Sequence, residues 1–98
     1  MTGPKDEAAV TDRLRRALLG FRTARQVLVK AHRRLKGLPQ AEVEAYWAGP
    51  GTRVEAHLRL AAREVVAAFE AFSAAGLVAD IGDRRLVTEA RRHLAEGG

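Results

Sequence analysis

Apolar side chains return at fixed intervals through the first third of the chain. Leu14, Phe21, Leu28 and Leu35 fall seven residues apart, with Leu18, Ala24 and Ala31 filling the same stripe. A seam of about three heptads predicts an amphipathic helix over residues 12–36 that packs against a partner helix in coiled-coil fashion. Gly37 and Pro39 end it, because glycine accepts the left-handed cap and proline cannot continue the helix. Pro39 also suits the first turn of a short helix through Trp47, "PQAEVEAYW". "AGPG", residues 48–51, breaks the chain again. Thr52 with Glu55 three residues on forms a capping box, which predicts a new helix from Thr52. Its apolar positions (Val54, Leu58, Ala61, Val65, Ala68, Phe69, Phe72, Ala75) keep helical spacing up to Gly76.

Beyond Gly76 the pattern changes. Two short β-capable runs, "LVADI" and "RRLVT", flank Gly82-Asp83, a pair suited to a two-residue hairpin loop. A short β-hairpin is therefore expected at 77–88. Thr88 then caps a last helix, with Glu89 in its first turn and Arg91, Arg92 and His93 toward its end. The expected architecture is mainly α: residues 11–98 as one small helical domain with a long N-terminal helix, after a flexible tail at 1–10.

Length and charge narrow the reading. At 98 residues the chain supports one modest core. It has no cysteine, which excludes disulfides, thiolate metal sites and a cysteine nucleophile. No run approaches the ~18 apolar residues of a membrane span, and "MTGPKDEAAV" carries charges where a signal peptide is apolar, so a cytoplasmic protein without a membrane partner is expected. The net charge of +5 is uneven: ten Lys/Arg against three acids in residues 1–37, three against six in 38–80, and four against three in 81–98.

Candidate chemistry is sparse. His32, His57 and His93 have no regular ligand spacing, and Ser73 lies late in a helix with no strand–turn–helix elbow around it. Gly49, Gly51 and Gly76 lack the Lys-Ser/Thr of a phosphate loop. Neither catalysis, a metal nor a cofactor is expected. Trp47, Phe69 and Phe72 read as core anchors. On the heptad wheel of the first helix Arg15, Arg22 and Lys36 share one position, Arg16 and Lys30 a second, Arg13 and Arg34 a third. These cations surround the polar face, either as a phosphate-binding surface or as an ordinary solvated face.

Residues 38–94 resemble a winged helix-turn-helix domain of the MarR type. "VEAHLRLAAREVVAAFEAFSAAGLV" stands where that family has its helix-turn-helix, "DIGDRR" where it has the wing tip, and "VTEARRHL" where its final helix starts. The resemblance implies a small DNA-binding transcriptional regulator, dimeric through the first helix at Leu14, Leu18, Phe21, Leu28 and Leu35. It places DNA contacts at Arg63, Arg84 and Arg85, with Arg15 and Arg22 as an auxiliary patch. Arg59 and Ala61 depart from the Gly and Ser that usually make the tight turn. Trp47-Ala48-Gly49, between two heptad-patterned helices, is also similar to the WXG family of secreted helical hairpins, from which Pro39 and the basic charge set this chain apart. A third reading needs no family: a helical-bundle adaptor or structural subunit of a larger assembly, such as a phage particle, with copies of itself or other subunits as partners. The backbone at residues 59–62 discriminates. A turn supports the regulator; an unbroken helix supports the bundle.

Overall fold

The computed structural model describes residues 4–96. Four helices follow in order: α1 (Pro4–Leu35), α2 (Gln40–Ala48), α3 (Pro50–Ala74) and α4 (Ile81–Glu96). There is no β-strand among the described residues.

α1 starts at Pro4, whose fixed φ suits a first helical turn, so residues 4–10 are helical rather than a tail. Residues 1–3 of the expected tail lie outside the described residues. Asp6 and Glu7 sit in that first turn, where the helix dipole favours acids. Gly37, at φ 86°, turns the chain after α1, and the short helix expected after it forms as α2, with Pro39 as its N-cap one position ahead of the first turn. α3 begins two residues before Thr52. Gly49 is its N-cap, Pro50 opens the helix, and the Thr52 hydroxyl donates to the Trp47 carbonyl (3.0 Å) instead of capping.

α3 then runs unbroken to Ala74. Residues 59–62, Arg-Leu-Ala-Ala, are strong helix formers with nothing to force a turn, so there is no helix-turn-helix in this segment. Gly76, at φ 81°, ends it.

The wing is absent too. Residues 77–80 form a loop, and the segment expected as the second hairpin strand is the start of α4. Asp80 accepts a hydrogen bond from the Asp83 N–H (2.8 Å), capping α4 eight residues ahead of Thr88. Thr88 lies within the helix, its hydroxyl bonded back to the Arg84 carbonyl. A winged helix requires a β-hairpin; with α4 in its place, the MarR-type reading is overturned.

α1 and α3 are antiparallel: Arg13, near the start of α1, pairs with Glu64 well along α3, while His32, near its end, meets Trp47 just ahead of α3. α4 returns in the direction of α1, with Arg25 bonded to Glu89. Leu14, Leu18, Phe21 and Ala24 of α1 share one core with Leu58, Ala62, Val65 and Phe72 of α3 and Val87 and Ala90 of α4. The alanines let the helices approach closely, so a narrow core suffices. The molecule measures 57 × 21 × 19 Å.

Candidate interaction surface

From residue 13 to residue 36 the chain carries nine Lys/Arg and no acid. Three of the nine are held by acids within the fold. Arg13 meets Glu64 in a bidentate pair (2.8 and 3.0 Å), Arg16 pairs with Asp12 one turn earlier, and Arg25 pairs with Glu89 of α4. The Arg13 hydrogen bond holds the Glu64 carboxyl below its ordinary pKa. Arg15, Arg22, Lys30, Arg33, Arg34 and Lys36 have no such partner among the described residues.

At about 100° per residue, Arg15, Arg22 and Arg33 fall within roughly 20° of one another, on the flank of α1 that faces α4. Lys30 lies about 60° further round, opposite the core, and Arg34 on the flank toward α3. Arg15, Arg22 and Arg33 thus form a stripe on the α4 side of the polar face, while Lys30 and Arg34 continue round it toward α3.

That stripe borders a cleft. Arg22, Arg25, Lys30 and Arg33 line an open depression of about 720 Å³ whose apolar lining is Val29 from α1 and Leu86 from α4. Val29 is 48% exposed. Through Arg22 the depression joins a second of about 550 Å³, lined in part by Arg15, Leu19 and Val78. Through Val29 and Arg25 it joins a third of about 290 Å³ over Phe21, Leu28 and Leu58, with Arg92 on its far side. A furrow with apolar walls therefore follows α1 along the α4 side, edged by cations in its middle stretch, with Asp80 and Asp83 at one end and Glu89 and Glu96 at the other. Arg25, neutralised by Glu89 and stacked over the Phe21 ring (5.5 Å), is a fixed part of its wall.

The positions singled out in the sequence separate into three groups. Arg15 and Arg22 converge on the furrow, where Lys30, Arg33 and Val29 join them. The sequence marks Lys30 only as one of the cations round the polar face and leaves out Arg33 and Val29, although the acid-free run and the seven-residue spacing of Val29 from Arg22 are visible in it. Arg84 and Arg85 lie in the first turns of α4 and share a shallow depression of about 470 Å³ with Arg92. Arg63 is exposed on α3, about 160° round from buried Val65, and points away from the bundle. Arg63 does not meet the others on a common face.

The positions expected to mediate dimerisation are occupied within the chain. Leu14, Leu18 and Phe21 are buried in its own core, Leu28 packs against that core and Leu35 is half-buried. The seam expected to need a second copy is covered by α3 and α4.

Trp47 is half-buried. Its ring meets His32 (4.8 Å) and Tyr46 (5.0 Å, edge to face), and it lies against Gly51. His57 is exposed and His93 half-buried. Among the described residues no three His, Cys, Asp or Glu side chains gather as metal ligands. No helix is long and apolar enough to cross a membrane.

Fold and surface together define an elongated α-helical bundle with one cationic, apolar-walled side. No known protein family, curated protein or solved structure matches the chain.

Proposed function

We propose that the chain is a non-enzymatic helical-bundle adaptor that engages an acidic partner through the α4-facing side of α1. The observation that carries this reading is the set of unpaired cations on that side. Acids of the fold pair with Arg13, Arg16 and Arg25 but leave Arg15, Arg22, Lys30 and Arg33 without an ion pair along the furrow, where Asp80 and Asp83 line only the depression shared by Arg15 and Arg22. Like charges held on one rigid helix repel one another, and an acidic partner relieves that repulsion. The unbroken α3 supports an adaptor over a helix-turn-helix regulator.

The test is fluorescence anisotropy with labelled poly-L-glutamate over a salt series. Binding should be abolished by Arg22→Glu/Lys30→Glu/Arg33→Glu at unchanged helicity. Poly-L-glutamate that fails to bind at low salt, or binds the triple variant equally well, contradicts the proposal.

A second reading takes duplex DNA as the acidic partner, and the same unpaired guanidinium groups favour it. Guanidinium pairs with phosphate as readily as with carboxylate. On that reading each phosphate contact contributes about one unit to the slope of affinity against salt. Arg15, Arg22, Lys30 and Arg33 together predict a slope near −4, reduced by about two in Arg22→Ala/Arg33→Ala. A slope that stays the same in that variant eliminates DNA at this surface.

A further inference from the structure

We infer that the furrow between α1 and α4 receives an acidic amphipathic helix of another protein. The inference rests on the adaptor reading and adds the partner's chemistry and shape. Charge alone does not account for the surface. Val29 is half-exposed in the floor of the cleft, and beside the adjoining depression Leu19 and Val78 are 64% and 84% exposed. Phosphates or a structureless acidic tail would neutralise Arg22, Lys30 and Arg33 yet leave these side chains in water. A helix with an apolar stripe flanked by carboxylates covers both.

The dimensions agree. Arg22 and Arg33 are eleven residues apart on α1, about 16 Å along its axis. That is about three turns of a second helix lying alongside, so carboxylates one or two turns apart meet the cations in register. α1 and α4 already provide two walls, and the docked helix would pack against both, as a further member of the bundle. Arg25 is held by Glu89, which leaves Arg22, Lys30 and Arg33 to set the partner's charge.

The experiment uses a labelled synthetic peptide of about four turns, with leucines at helical i, i+3, i+4, i+7 spacing and glutamates on both flanks. A scrambled peptide of identical composition is the control. Anisotropy should show the amphipathic peptide binding about tenfold or more tightly than the scrambled one, with part of that advantage surviving high salt. Val29→Glu should weaken binding about tenfold, and Val29→Ala should do so more mildly if the glutamate disturbs folding. Arg22→Glu/Arg33→Glu should abolish it. Arg34→Glu/Arg63→Glu, which changes net charge equally at positions away from the furrow, should leave it near wild type. Circular dichroism melts check that every variant is folded.

Equal affinity for the two peptides, or equal loss in the two charge-reversed variants, overturns the inference. So does stronger, Val29-dependent binding of duplex DNA or of phosphatidylserine vesicles, or self-association of the chain that depends on Val29. If both peptides bind α1 equally, the adaptor reading stands and only the helical partner falls. If neither peptide nor poly-L-glutamate binds, both fail.

Discussion

Gly51 has no room for a side chain. It is buried in the first turn of α3, and a Cβ there would overlap Trp47 Cε3 and lie 3.0 Å from Cζ3. Only glycine lets the indole lie across the helix and reach His32 on α1, so this residue pair pins the end of the α1–α3 hairpin. Gly51→Ala should lower stability by about 1–3 kcal/mol. In a Trp47→Ala background, where the ring is gone, most of that loss should disappear. Denaturant melts of the two single variants and the double variant measure the coupling; full additivity would show that the contact is unimportant. Glu64 predicts a pH effect at the same scale. Its carboxyl is held below its ordinary value, first by the Arg13 hydrogen bond, against the opposing effect of burial. A depressed carboxyl contributes stability that is fully present above the unfolded value, near 4.3, and is lost as pH falls through the folded value. Both side chains are nearly half exposed, so the contribution is modest. Glu64→Gln should flatten the acid limb of stability against pH, and an identical acid limb in the variant would remove Glu64 from the account.

At the scale of the element, α4 holds the main lesson. Its N-terminus depends on Asp80, whose carboxylate accepts the Asp83 N–H. Asp80→Ala should lower stability by about 1 kcal/mol, with amide exchange accelerated at residues 81–84 ahead of the rest of α4. Uniform acceleration along α4 would show that the cap has no local role. The helical seam of α1, the stops at Gly37 and Gly76 and the short α2 after Pro39 were legible in the sequence because each depends on local spacing or a single residue's φ. The start of α4 was harder to read. Gly82-Asp83 is good hairpin chemistry, and "RRLVT" alternates like a strand. Val87, Ala90 and Leu94 also recur at three and four residues, and that stripe packs into the shared core. Tertiary burial decided between the two periods, and Asp80 with Asp83 three residues on was the local sign that was passed over. The capping box at Thr52 failed for a related reason: Pro50 can open a helix without a side-chain cap, so the helix was already under way.

For the whole molecule, shape and charge act together. The radius of gyration, 16.3 Å, exceeds the roughly 13 Å of a compact chain of this length. The excess comes from α1, about 48 Å long, which gives the cations a straight, rigid scaffold. The seam of α1 is a packing surface, as its spacing implies, and within the chain α3 and α4 pack against it. Sequence periodicity marks which face is buried, whereas the returning α3 and α4 decide what buries it. The shared position of Arg15 and Arg22 is visible on a heptad wheel, but the cleft they border is not, because the wheel does not show which flank α4 occupies. Binding of an acidic partner on that flank is the central claim. Titrating isotopically labelled protein with poly-L-glutamate and following backbone amide shifts tests it most directly. The account predicts the largest shifts on α1 within residues 15–33 and at Leu86 across the cleft, with Arg63 and the outer face of α3 unmoved. Shifts centred on Arg63 or on Arg84 and Arg85, or spread evenly over every basic residue, would contradict it.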